Sequence, residues 1–224
     1  SLYSLNWKFG KKSSWLQKGV TLEQLQSLEK EWIEKAEQNQ WIIPKARFGL
    51  FPAQANGDEV IFYESESRDK ELGRFDFDLC IGKGRKDKFS IGQYFHSVES
   101  GQIDAIGLQI TTAGAGVEEG IKSLKEQNES ESSLYLQGLS DRVAEDMAEY
   151  IHQLLRTRAG YKKENRGQRY SPGYPALTNL KGNHIIWNAL GAEDLGVTLT
   201  VANEFFPPST TAAVICFHKD AGYN

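Results

Sequence analysis

The sequence has few of the features that mark several large classes of protein. Its 224 residues include only two cysteines, Cys80 and Cys216, far apart and in no Cys-x-x-Cys or Cys/His cluster. A disulfide framework and a structural zinc site are therefore not expected. No apolar stretch approaches the roughly 18 residues of a membrane span, and no signal peptide opens the sequence. We expect a cytoplasmic protein with no membrane partner.

The sequence also lacks the features of nucleic-acid-binding proteins and the common motifs of hydrolases and nucleotide-binding proteins. The chain has a formal net charge of -4 and no long Lys/Arg run, which disfavours a nucleic-acid partner. It contains no Gly-x-Ser-x-Gly, His-Glu-x-x-His or P-loop pattern. Its four histidines (His96, His152, His184 and His218) are scattered singly. We predict no metal site built on histidine.

The sequence also lacks an initiator methionine. Met147 is its only methionine, so we expect a trimmed chain or a piece of a longer one. What is present is a globular composition, with 39% hydrophobic residues and with Phe 11, Trp 5 and Tyr 9 available for a core.

Hydrophobic periodicity predicts helices and strands without regular βαβ alternation. Helices are expected at 21–39, 117–127, 134–157 and 184–190, and a capping box of Thr21 with Gln24 opens the first. Strands are expected at 59–63 after a turn at 56–58, at 103–112, 197–201 and 212–217, with one more strand or edge within 64–90. This mixture predicts an α+β domain.

The helix at 134–157 has an apolar stripe on one side. On the opposite side we predict four solvent-facing polar residues: Asp141, Glu145, Glu149 and His152. Taken alone, Glu145 is typical of a solvated carboxylate.

Two glycine-containing segments are candidates for ligand contact. Residues 113–116 (Ala-Gly-Ala-Gly) follow a strand and precede a helix, as a dinucleotide-binding or methyltransferase loop does. No acidic residue closes a second strand about 20 residues later, so a plain strand-to-helix turn is favoured over a Rossmann-type methyltransferase. Residues 167–175, rich in Gly and Pro, are predicted to be irregular. By composition alone, segment 169–175 is more typical of an ordered loop than of a site.

These segments, taken in order, resemble the C-terminal activation domain of vitamin B12-dependent methionine synthase. The likeness runs nearly from end to end, and its most specific part is segment 169–175, similar to the family's Arg-Pro-Ala-Pro-Gly-Tyr-Pro. The other matching segments are 5–9 (Leu-Asn-Trp-Lys-Phe), 45–53 with Gly57-Asp58, 110–114 (Ile-Thr-Thr-Ala-Gly), 139–145 (Leu-Ser-Asp-Arg-Val-Ala-Glu) and 217–223.

The resemblance implies one C-shaped α+β domain over residues 1–224, with a bent antiparallel sheet flanked by helices. This domain is either part of a longer multidomain chain or a stand-alone homologue. The resemblance also implies S-adenosylmethionine as the ligand. Carried over one position at a time, the binding residues are Asn6, Glu145, Glu164, Arg169, Ser171, Tyr174 and Tyr223. Carboxylates and aromatic faces suit a sulfonium and an ammonium group, and Arg169 suits the ligand carboxylate.

In the family, inactive cob(II)alamin is restored to methylcobalamin by an electron from flavodoxin or a flavin reductase and a methyl group from S-adenosylmethionine. This chain has no Asp-x-His-x-x-Gly motif, so we expect cobalamin to be carried by a partner module. The implied activity is that of a methyltransferase reactivation domain, inactive in methionine synthesis alone and with no acid–base catalytic residue. Asn6 and Asn224 replace an aspartate and a tyrosine of the family. An alternative is therefore a docking scaffold for a cobalamin module that no longer binds S-adenosylmethionine.

Overall fold

The computed structural model of the chain describes residues 19, 21–81, 87–161 and 166–222. Four helices lie in these ranges: α1 Leu22–Gln38, α2 Gly116–Glu126, α3 Ser130–Arg158 and α4 Lys181–Leu190. The strands are β1 Lys45–Asn56, β2 Glu59–Tyr63, β3 Glu71–Asp76, β4 Cys80–Ile81, β5 Lys88–Phe89, β6 Asp104–Thr112, β7 Gln168–Tyr170, β8 Thr198–Leu199, β9 Phe205–Phe206 and β10 Thr210–Cys216. The predicted α+β class is confirmed.

Six strands form one antiparallel sheet in the order β3-β2-β1-β6-β10-β7. The predicted turn before β2 is confirmed. It is a tight hairpin in which Asn56 pairs with Glu59, and Gly57 takes the positive φ of 65° that such turns require. Two further hairpins, β4-β5 and β8-β9, lie outside this sheet. The strand β7 forms one edge, and this edge carries the candidate site.

Strand alternation gives the sheet two buried faces. On β6, Leu108 and Ile110 enter the large core together with Ile186 of α4. Their neighbours Gln109 and Thr111 face α3 instead, where the Gln109 Nε2 donates to the Ala148 carbonyl (3.2 Å) and the Thr111 hydroxyl donates to the Ala144 carbonyl (3.0 Å). The small alanines let the helix lie close enough to the sheet for these bonds.

A second core joins α1, α2 and α3. Leu25, Trp32 and Ala36 of α1 are buried against Leu136 and Leu139 of α3. Helix α1 begins after Thr21 with both hydrogen bonds of the predicted capping box, so that prediction is confirmed.

Several sequence-based predictions were wrong. The described part of residues 64–90 contains three strands, β3, β4 and β5, where one was expected. Segment 167–175 is not wholly irregular, because β7 pairs with β10 and so takes residues 168–170 into the sheet. His152 is only 5% exposed, because α3 packs against the sheet and also buries the flank of the helix that carries this side chain.

The glycine segment 113–116 is a packed turn, as favoured from the sequence. Gly114 has a φ of 101°, and a Cβ placed there would lie 2.6 Å from the Ile43 carbonyl oxygen. A Cβ on Gly116 would lie 2.7 Å from the carbonyl oxygen of Gln40. These glycines allow two stretches of backbone to approach each other, and the antiparallel sheet excludes a Rossmann unit.

Candidate functional site

Arg169 reaches α3 because of its position on the edge strand β7. It pairs with Ile215 of β10, whose side chain packs on the α3 face of the sheet, whereas the next residue, Tyr170, enters the opposite core. The Arg169 Nη2 lies 3.4 Å from the Glu149 Oε2 and 3.9 Å from the Glu145 Oε2. One turn of α3 separates these two carboxylates, so a single guanidinium is held between them.

The chain after β7 forms a rigid turn. The Gly173 amide donates to the Leu177 carbonyl and the Leu177 amide donates to the Tyr174 carbonyl, both at 2.8 Å. Gly173 has a φ of 89°, which favours glycine. Pro172 is buried against the start of α4, where a Cβ on Gly182 would lie 2.8 Å from the Pro172 ring. The turn leaves the Tyr174 side chain 62% exposed at the surface.

A cleft of about 450 Å³ opens between α3, this turn, the start of α4 and β10. Its polar lining includes the carboxylates of Glu145 and Glu204 and the hydroxyl groups of serine and threonine side chains. Its apolar lining comes from prolines and aromatic rings. The lining residues are Glu145, Ser171, Pro172, Tyr174, Asn183, Glu204, Phe205, Pro208, Thr210, Thr211 and Ala212. This volume lies within the range of small-molecule sites.

A polar cluster fixes the β10 side of the cleft to α3. The Ser209 hydroxyl donates to the Asp141 Oδ1 (2.8 Å) and accepts from the Gln137 Nε2 (3.2 Å). The Ser140 hydroxyl lies 2.8 Å from the same oxygen of Ser209. Asp141 is therefore half-buried and anchors the wall of the cleft rather than facing solvent.

His152 lies behind the Arg169 ion pairs. Burial lowers its pKa to about 4, and the positive charges of Arg156 and Arg169 act in the same direction. Its Nε2 is 3.4 Å from the Arg156 Nη2. Near pH 7 the imidazole of His152 is therefore neutral and adds no positive charge beside Arg156 and Arg169.

The structure brings together the predicted residues that it describes. Glu145, Ser171 and Tyr174 line the cleft, and Arg169 contacts Glu145 at its margin. The other three predicted binding residues, Asn6, Glu164 and Tyr223, lie outside the described residues.

Sequence reasoning missed much of the opposite wall, including Asn183, Glu204, Phe205 and Pro208. Glu149 is exposed, as predicted, but its role as the nearer partner of Arg169 was missed. The i, i+4 spacing of Glu145 and Glu149 was the only signal available for the second carboxylate.

Other candidate chemistry is limited in the described part of the chain. Both cysteines are buried and free, and burial raises the pKa of Cys216 to about 12, so its thiol is not a nucleophile near neutral pH. No group of three or more His, Cys, Asp and Glu side chains in these ranges is arranged to hold a metal ion. Within the same ranges, no helix has the length and apolar content to cross a bilayer.

This is an α+β domain with a polar, carboxylate-lined cleft at the edge of an antiparallel sheet. The chain belongs to the family described as the vitamin B12 dependent methionine synthase activation domain, whose model matches residues 1–224. The family expected from the sequence is confirmed.

The chain is also similar to a known protein and to a solved structure. It is 24% identical over 205 residues to a methionine synthase of Mycobacterium tuberculosis, a match that covers 79% of this chain and 16% of that protein. The chain therefore spans about a sixth of its relative. A crystal structure of the MetH reactivation domain bound to AdoHcy has the same fold, with a TM-score of 0.86 and 24% identity. That match covers 96% of this chain and 72% of the other.

Proposed function

We propose that this domain binds S-adenosylmethionine in the cleft at the β7 edge and so supports the reactivation of a cobalamin-dependent methionine synthase. The observation that carries the proposal is the convergence of Glu145, Ser171 and Tyr174 on one cleft, with Arg169 held at its margin. The sequence motifs that supplied these residues lie on different elements, α3 and the turn after β7.

The chemistry of the lining suits this ligand. S-adenosylmethionine has a sulfonium and an ammonium group, and the cleft offers the carboxylates of Glu145 and Glu204. The ligand carboxylate requires a cation, and Arg169 is 22% exposed beside Glu145. The ring of Tyr174 and the apolar surfaces of Pro172 and Phe205 suit the purine.

The proposed role of the protein is positioning. When bound, S-adenosylmethionine supplies a methyl group on a positively charged sulfur. Together with one electron, this methyl group converts cob(II)alamin to methylcobalamin and leaves S-adenosylhomocysteine. The rigid turn at 171–174 would hold the purine and the carboxylates of α3 the sulfonium end, which is a proximity effect and needs no general base.

The proposal extends to partners. We propose that cobalamin is carried by a separate module that meets the open side of the cleft, and that flavodoxin or a flavin reductase supplies the electron. We also propose that residues 1–224 form one domain of cytoplasmic location, working as a segment of a longer protein or beside a separate module. The domain would have no methionine synthase activity by itself.

Calorimetric titration with S-adenosylmethionine tests the binding step. We expect saturable binding with one ligand per chain. The absence of heat at millimolar ligand would favour the alternative function, a docking scaffold that no longer binds the ligand.

A second assay tests reactivation. The domain is mixed with a cobalamin-binding module in the cob(II)alamin state, a one-electron donor and S-adenosylmethionine, and methylcobalamin is followed by its absorbance. We expect methylcobalamin only when all components are present. Formation at the same rate without the domain would contradict the proposed role.

A further inference from the structure

Asn183, at the start of α4, has a structural role that its sequence context does not reveal. Its side chain lines the cleft yet is only 7% exposed. Its Nδ2 donates to the Asn203 carbonyl at 2.9 Å. Because a carbonyl oxygen only accepts, this bond fixes which end of the amide is nitrogen and which is oxygen.

The partner carbonyl is itself held in a tight loop between β8 and β9. The Asn203 amide donates to the Thr200 carbonyl and the Thr200 amide donates to the Glu204 carbonyl, both at 2.9 Å. The Glu204 amide adds a bond of 3.1 Å to the Thr200 hydroxyl. Asn183 therefore cannot rotate its amide without losing a bond to a fixed backbone group.

This arrangement leaves one acceptor for the cleft. Within the described residues the Oδ1 of Asn183 makes no hydrogen bond, and this oxygen is not fully buried, so it is accessible from the cleft that Asn183 lines. A ligand group that donates a hydrogen bond would satisfy it.

The position of Asn183 indicates which part of the ligand it meets. The next residue toward the N-terminus, Gly182, packs on Pro172, so Asn183 lies beside the turn at 171–174. Tyr174, Pro172 and Phe205 line the cleft and suit a flat aromatic ring, whereas Arg169 and its carboxylate partners lie on α3 and β7. The nucleoside end of the ligand is thus expected near Asn183.

We propose that the Oδ1 of Asn183 accepts a hydrogen bond from the 6-amino group of the ligand's purine, which makes Asn183 the residue that selects adenine over a 6-oxopurine. This inference rests on the proposed function. A 6-oxopurine places a carbonyl oxygen where adenine has its amine, so two acceptors would face each other and the Asn183 oxygen would stay unpaired.

The test compares S-adenosylhomocysteine with S-inosylhomocysteine, two thioethers that differ at this position of the purine. Both are titrated calorimetrically into the wild-type chain, into Asn183→Leu, which keeps the side-chain size, and into Asn183→Ala. The matched control is Asn188→Leu, since Asn188 lies on the same helix but bonds to the exposed His184. Thermal unfolding of each variant shows that it is folded.

We expect the wild-type chain and Asn188→Leu to prefer the adenosyl ligand by about tenfold or more. Both Asn183 variants should lose this preference by weakening the adenosyl ligand alone. Equal affinities in the wild-type chain, or an equal loss for both ligands in the variants, would overturn the inference while the proposed function stands. No binding of either thioether or of S-adenosylmethionine to the wild-type chain would overturn both.

Discussion

At the residue scale, Arg169 connects the edge of the sheet to the carboxylates of α3. Its guanidinium lies between Glu145 and Glu149, so its orientation is set before a ligand arrives. The flat guanidinium group binds a carboxylate through two parallel bonds, which lysine does not reproduce. The charge pattern at the cleft margin thus depends on one side chain.

Replacing Arg169 tests this dependence. We expect Arg169→Ala to weaken S-adenosylmethionine binding by about tenfold or more, because the ligand carboxylate loses its cation. Calorimetric titration measures the change. Arg47→Ala is the control, since Arg47 also forms an ion pair, with Asp194, and neither residue lines the cleft. Unchanged affinity in Arg169→Ala would remove Arg169 from the site.

His152 gives the domain a specific pH dependence. Burial holds its pKa at about 4 in the folded chain, against an ordinary value of 6.5. Between these values the unfolded chain binds a proton that the folded chain does not. Stability is therefore complete above about pH 6.5 and falls as the pH drops toward 4.

The wild-type chain should lose up to about 3 kcal/mol of its free energy of unfolding between pH 6.5 and 4 through His152, and we expect His152→Gln not to show this part of the loss. Urea unfolding at a series of pH values measures the difference from the wild-type chain. His184→Gln serves as the control, because His184 is exposed on α4. The explanation fails if the wild-type chain and His152→Gln lose stability in parallel between pH 6.5 and 4.

At the element scale, the sequence predicted the helices and the apolar strands β2, β6 and β10, but it missed the twelve-residue β1 and failed where pairing decides the structure. Helix α1 was predicted from its cap and apolar spacing, and β2 from the glycine turn before it. Strand β7 was missed because its three residues are held only by pairing with β10, which lies more than 40 residues later. The cleft wall at Asn183 and Glu204 was missed for the same reason, since nothing local marks a side chain that meets a distant turn.

The turn at 171–174 makes a prediction at this scale. Gly173 and Gly160 have φ values of 89° and 94°, so an alanine at either position costs about 1–2 kcal/mol of stability. Only Gly173 lies in the turn that lines the cleft. We expect both Gly173→Ala and Gly160→Ala to unfold at lower temperature, and only Gly173→Ala to bind S-adenosylmethionine more weakly, by about fivefold.

Thermal unfolding and calorimetric titration of the two variants separate these effects. Gly160 is the matched position because it has a similar positive φ and, among the described residues, no atom lies within 4 Å of a Cβ placed there. Equal ligand affinity in both variants would show that the conformation of the turn is not needed for binding.

At the scale of the whole molecule, the sheet holds the parts of the cleft in a fixed relation. Strand β10 pairs with both β6 and β7, and α3 is bonded to β6 through Gln109 and Thr111. The cleft therefore lies between elements that the sheet and its two cores fix. A rigid platform of this kind suits a domain that presents a reactive methyl group to a second module.

The most direct test of the central claim is a crystal structure of this chain with S-adenosylmethionine. We predict density for one ligand in the cleft, with its amino-acid end near Arg169 and Glu145 and its purine against the turn at 171–174 beside Asn183. Ligand density at another surface, or an empty cleft in crystals grown with excess S-adenosylmethionine, would contradict the claim that this cleft is the binding site.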